Sequence, residues 1–236
     1  MSQLPSTLEH AIAQSIEATK AAIADGKTRL QVELLFPELG IMPVAQQFVA
    51  GFGELGSQLR VFFPDAGSAA LARRDWGELP YAVRGIDDMK SDIQPDEKVI
   101  LFVQPSSIEV AKVEALCDFA GDRPVVFLNP RLENVATIGI GYAGRQLRER
   151  FLNLFASCYY IRPLDSAALF RCYPSDWQVW LEQNGEYGLI SATAQKPVGE
   201  ELEQILLTRG GRDQPPAPSS RGLLSSLQAF LRALSQ

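Results

Sequence analysis

A single histidine, His10, and three widely spaced cysteines, Cys117, Cys158 and Cys172, stand in a chain of 236 residues. Zinc hydrolysis and Ser–His or Cys–His catalysis need an imidazole close to the other players. A lone histidine in an N-terminal stretch that reads as helix points instead to a surface residue. Three cysteines without a Cys-x-x-Cys pair describe neither a disulfide framework nor a metal knuckle. Positive charge is also scarce: 22 lysines and arginines against 28 acidic residues give a net charge of -6. A general nucleic-acid binder needs a basic face to neutralise phosphates, so that class is set aside. No apolar run reaches the ~18 residues that a bilayer-spanning helix needs. The opening Met1-Ser2-Gln3-Leu4-Pro5 has neither the basic nor the apolar region of a signal peptide. A cytoplasmic protein with at most peripheral membrane contact is expected.

What the chain does have is apolar content, 46% of its residues, enough to bury a core. Four apolar runs, residues 30–36, 59–63, 99–104 and 125–129, each stop at a proline: Pro37, Pro64, Pro105 and Pro130. Proline cannot donate to a ladder, so it ends a strand where it stands. The stretches between the runs read as helices. Ser6 with Glu9 forms a capping box ahead of Leu8, Ile12 and Ile16, and Ser106 with Glu109 repeats it ahead of Leu116 and Phe119. Strands alternating with helices imply an α/β fold, a Rossmann-like parallel sheet of about four strands with helices on both faces. From 157 to 193 the pattern changes to short aromatic and β-branched runs with a hairpin signal at Asn184-Gly185, an antiparallel extension of that sheet. Residues 1–208 read as one domain, 209–222 as a Pro/Gly/Ser linker, and 223–236 as a short amphipathic helix.

Ligands of parallel α/β sheets sit outside the carboxyl ends of the strands. There the prolines place Asp65, Gln104, Asn129 and Arg131 as candidate contacts. Glu38 and Asp65 form an acid–base pair only if the first two strands adjoin, and turn residues beside proline account for both equally well. No catalytic residue is assigned, and no cofactor or metal is implied. Residues 139–144 spell G-x-G-x-x-G, but ten residues separate Leu128 from Gly139, whereas a dinucleotide fingerprint follows its strand directly. A loosened loop is the better reading, with Gly139 and Gly141 kept as backbone contacts for an anion. Arginines gather in the same region: Arg131, Arg145, Arg148, Arg150, Arg162 and Arg171, opposed only by Glu133, Glu149 and Asp165. Guanidinium forks suit carboxylates and phosphates, so an anionic ligand or an acidic partner fits Arg131, Arg145, Arg148 and Arg162. Trp180, which shares a strand face with Gln178 and Glu182, is a candidate interface aromatic.

Several segments carry a resemblance to a known family. They include Pro5-Ser6-Thr7-Leu8-Glu9, Arg29-Leu30-Gln31-Val32-Glu33, Asn129-Pro130-Arg131-Leu132-Glu133, Tyr159-Tyr160-Ile161-Arg162-Pro163-Leu164 and Trp177-Gln178-Val179-Trp180. Over residues 5–207 the chain resembles the DUF1995 family, a domain of unknown function found in cyanobacteria and plastids. That family includes plastid proteins of the low photosystem II accumulation group, and the same domain occurs fused to a plastid adenylate kinase. The resemblance implies a cyanobacterial, non-enzymatic binding or assembly-auxiliary role linked to photosystem II biogenesis. Its partner would be a photosystem II core subunit or assembly intermediate, met in the cytoplasm or peripherally at the thylakoid. The alternative is a nucleotide- or phosphometabolite-binding enzyme or sensor that uses the carboxyl edge of the sheet. The family carries no catalytic residue that transfers to this sequence.

Overall fold

A computed structural model describes residues 3–89, 92–132 and 142–209. Three of the proline-ended runs become strands buried on both sides: β2 (Leu59–Phe63), β4 (Val99–Val103) and β5 (Val125–Leu128). Apolar side chains along their whole length suit a parallel sheet that helices cover on both faces. The first run becomes β1 (Arg29–Leu34), whose burial alternates: Leu30, Val32 and Leu34 are buried, while Arg29, Gln31 and Glu33 are only half-buried. β3 (Ala82–Gly85) also runs parallel to β2, and β6 (Ala156–Leu164) parallel to β1, so two strands join the four proline-ended runs in the parallel part. β7 (Ala167–Cys172), β8 (Trp177–Gln183) and β9 (Glu186–Thr193) then continue antiparallel.

The result is one nine-stranded sheet in the order β3-β2-β4-β5-β1-β6-β7-β8-β9. The direction changes at β6, which is parallel to β1 on one side and antiparallel to β7 on the other. The β8–β9 hairpin turns at Asn184 and Gly185 with φ of 55° and 83°. Two successive positive φ values are what a type I′ turn needs, and asparagine and glycine supply them at least strain.

On one face lie α1 (Leu8–Ala24), α2 (Ile41–Ala50) and α3 (Ala66–Asp75), where Ile12, Val44, Phe48 and Ala69 pack with Leu30, Val32, Val61 and Leu101. On the other lie α4 (Val110–Ala120) and α5 (Tyr142–Arg150), where Val113 and Leu147 pack with Phe62, Phe102 and Phe127. Phe170 belongs to the first face, so its neighbour Leu169 points to the second. There α6 (Glu200–Arg209) sets Leu202, Ile205 and Leu206 against Tyr160, Leu169 and Val179. The linker and terminal helix expected beyond Arg209 lie outside the described residues, as do Gly139 and Gly141.

Both expected capping boxes fall close to real helix starts. Glu109 accepts from the Ser106 amide at 3.2 Å and from its hydroxyl at 2.6 Å, just ahead of α4. At α1 the cap is Thr7 rather than Ser6: Thr7 is the extended residue (φ -141°), and its hydroxyl accepts from the His10 amide at 3.0 Å. Near the β3 edge, buried Arg60 of β2 meets buried Glu97. Its Nε donates to Glu97 Oε1 at 2.8 Å and its Nη2 to the Asp92 carbonyl at 3.1 Å, while Glu97 Oε2 accepts from the Gln94 amide at 2.8 Å. Among the described residues no helix is long and apolar enough to cross a membrane.

Candidate functional site

The polar side of β1 sits in the middle of the sheet, on the face that α4, α5 and α6 share. α5 and Phe155 cover the β5 side and α6 covers the β6–β8 side, which leaves Gln31 and Glu33 as the floor of a groove of about 1380 Å³. One wall is Pro130, Arg131, Leu132, Arg148 and Leu152, and the other is the segment after β9 that carries Lys196. Arg171 and Trp177 extend the floor toward the antiparallel strands.

Charge in the groove is one-sided. Among the described residues its lining includes Arg131, Arg148, Arg171 and Lys196 against a single carboxyl, Glu33, in a chain that is acidic as a whole. Aromatic rings hold two of these cations. Lys196 Nζ lies 3.9 Å from the centre of the Tyr160 ring and 5.2 Å from that of Trp177, and the Arg171 guanidinium lies 5.3 Å from the Trp177 ring. Tyr160 and Trp177 themselves meet edge-to-face at 5.1 Å. Such contacts fix cations through the negative faces of the rings, most strongly where water is excluded.

Burial sets the protonation behaviour. It pushes the Glu33 carboxyl above its usual range, partly offset by Lys196 and by the Gln31 amide, which donates to Glu33 Oε2 at 3.1 Å. Burial also lowers the Lys196 ammonium, with Glu33 opposing and Arg162 reinforcing the shift. The Arg171 guanidinium moves down for the same reason, with Asp176 opposing. Shifts of this kind in a cleft mark a functional candidate. Two buried polar atoms here, Arg171 Nε and Ser157 Oγ, have no hydrogen-bond partner among the described residues. Ser157 is paired in register with Gln31.

The chemistry available is anion binding far more than nucleophilic attack. Burial pushes the Cys117 thiol up to about 12 and the Cys158 thiol up to about 11, so neither is a thiolate at neutral pH. Among the described residues no three His, Cys, Asp or Glu side chains gather as a metal site.

The residues singled out in the sequence are distributed unevenly around this groove. Arg131 and Arg148 line it. Arg162 is exposed on β6 and hydrogen-bonds Tyr160 beside the groove, whereas Arg145 is exposed on α5 and is not among the lining residues. At the strand ends, Asn129 is buried and its amide is fully engaged by β1: Oδ1 accepts from Leu34 N at 2.7 Å and Nδ2 donates to Leu34 O at 3.0 Å. Gln104 has φ 47°, and its backbone N–H donates to Leu128 O at 2.8 Å. Trp180 is half-buried on the first face, with its indole N–H on Gln178 Oε1 at 3.0 Å.

Asp65 caps α3, accepting from the Ser68 amide at 2.8 Å and its hydroxyl at 2.7 Å. Those two bonds hold its carboxyl below the usual range. Asp65→Ala should therefore cost about 1 kcal/mol of stability, as the loss of an N-cap does. Urea melts should show this deficit at neutral pH, shrinking as pH falls through the native carboxyl's depressed titration, since a protonated Asp65 no longer caps well.

Glu33, Arg171, Trp177 and Lys196 were not singled out as site residues. The signal for Glu33 was present: Arg29, Gln31 and Glu33 alternate with Leu30, Val32 and Leu34, which marks a strand with one polar face. Fold and site together define a mixed α/β protein with a cationic groove across the centre of its sheet. The family model described as Domain of unknown function (DUF1995) matches residues 5–204, and the chain belongs to that family.

Proposed function

We propose that this chain is a non-enzymatic binding protein of the photosynthetic apparatus, an auxiliary in photosystem II biogenesis that receives an acidic surface of its partner in the groove. The observation that carries the binding role is the excess, among the described residues, of lining cations over the single carboxyl Glu33, in a chain of net charge -6. Opposite charge across an interface steers encounter and fixes register. The photosynthetic setting draws on the family to which the chain belongs. A nucleotide or phosphometabolite site along the carboxyl edge draws less support, because Asp65 and Asn129 are occupied by α3 and β1.

Affinity purification from solubilised cyanobacterial thylakoids tests the proposal. The tagged wild-type chain should enrich a photosystem II core subunit, and Arg131→Glu with Arg148→Glu should reduce that recovery about tenfold or more, the effect of losing two charge contacts. Recovery should also fall with added salt, because these rim charges are partly exposed to solvent. A pull-down without photosystem proteins, together with normal photosystem II assembly in a deletion strain, would overturn the reading.

A further inference from the structure

We infer that the groove floor is an oxyanion subsite in which Arg171 and Lys196 seat a carboxylate from an acidic segment of a partner protein. The inference rests on reading the groove as the partner site, but its chemistry is testable without any photosystem component.

Three independent features point to an anion at this spot. First, Arg171 lines the groove, and its Nε is a buried donor without a hydrogen-bond partner among the described residues. Native interiors rarely leave such a group unmatched, and a bound oxygen would satisfy it. Second, Lys196 is held over Tyr160 and Trp177, and Arg171 over Trp177, before any ligand arrives. Cations already fixed in place lose little freedom on binding. Third, the groove continues past this floor to Arg131 and Arg148 and measures about 1380 Å³. Small-molecule pockets occupy roughly 300–1000 Å³, so an extended segment with several carboxylates fits this space better than one metabolite.

Glu33 makes the site sensitive to pH. The groups around it are Gln31 on its own strand, Tyr160 and Arg162 on β6, Arg171 on β7, Lys196 after β9, and Arg131 and Arg148 on the wall. Burial already raises the Glu33 titration, and an incoming carboxylate raises it further by like charge and by competing for Lys196. Seating the ligand is therefore accompanied by proton uptake at Glu33. Affinity rises as pH falls toward the titration of Glu33. It falls at alkaline pH, where the lowered Lys196 ammonium begins to lose its charge.

Isothermal titration of the full chain with a hexa-aspartate peptide, and separately with inorganic phosphate, tests this. The peptide should bind saturably and more tightly than phosphate, more tightly at about pH 5.5 than at about pH 8, with net proton uptake measured in buffers of different ionisation heat. Lys196→Met and Arg171→Gln should each weaken it about tenfold, the worth of one charged contact. Lys196→Arg should restore part of the loss, and Arg74→Ala on the opposite face should change nothing. Glu33→Gln should abolish the proton uptake while retaining binding. Circular dichroism of each variant separates lost affinity from lost fold. Peptide binding indifferent to both Lys196→Met and Arg171→Gln would overturn the subsite, and binding without proton uptake would overturn the competition with Glu33. Phosphate binding tighter than the peptide would overturn the acidic-segment source. If the peptide binds as expected while the thylakoid pull-down fails, the subsite stands and the photosynthetic assignment falls.

Discussion

Asn129→Ala is expected to destabilise the fold by about 4 kcal/mol, more than most substitutions at a strand end. The Asn129 side chain substitutes for a backbone rung: it gives Leu34 both an acceptor and a donor where β5 has ended and β1 continues. Truncation leaves the Leu34 N–H and C=O unmatched in the interior, each costing about 1–3 kcal/mol. Asn129 also has φ 47°, a conformation that asparagine adopts more readily than alanine. Asn129→Gly should therefore recover about 1 kcal/mol while the two hydrogen bonds stay lost. Asn129→Asp keeps the acceptor but sets a carboxylate oxygen against Leu34 O, so the introduced carboxyl prefers its protonated form. Its native titration then lies above its unfolded one, and the variant should gain stability as pH falls. Urea midpoints at constant m-value report all three changes.

Arg60→Leu should cost about 3–5 kcal/mol, the range for removing one partner of a buried ion pair. The side chains of Arg60 and Glu97 are only 5% and 3% exposed, and the pair ties β2 to the segment that leads into β4. Without the guanidinium, Glu97 keeps a buried charge whose remaining partner is the Gln94 amide. The sign of the companion variant tests the mechanism. Arg60→Leu with Glu97→Leu should recover most of the loss, because no charge then remains to be desolvated and the exposed Gln94 and Asp92 backbones can turn to water. A double variant as unstable as the single one would mean that the pair acts through packing rather than charge.

How much of this was legible in the sequence depended on how far each residue's partner lies along the chain. β2, β4 and β5 were readable because they are apolar throughout and stop at proline. β3, with four residues of which only two are buried, is too short to stand out as an apolar run. β6 was grouped with the aromatic region because its residues resemble those of β7. Its parallel pairing is set by β1, and Cys158 lies 127 positions from the Gln31 carbonyl it meets. Asn129 read as a ligand contact for the same reason: nothing near it in sequence reveals Leu34, 95 positions earlier. In the groove, Arg131 and Arg148 were visible as members of a local arginine cluster. Lys196 was not, because it lies in the loop after β9 and gains its meaning from Tyr160 and Trp177 on other strands. Charge clustering is a local signal; cation–aromatic seating is not.

The central place of β1 also has a consequence in time. β1 is the first strand synthesised, yet both of its neighbours, β5 and β6, come late in the chain. A nascent chain that has emerged through β4 can set β2, β3 and β4 side by side, but it leaves β1 with both edges unpaired. Pairings between residues so distant in sequence form slowly, and an unpaired apolar strand is an aggregation hazard while it waits. Arg29, Gln31 and Glu33 give that waiting strand a polar side of the kind that gatekeeper residues provide. Gln31 and Glu33, which floor the groove in the finished protein, would thus give the unpaired strand a side that resists apolar association.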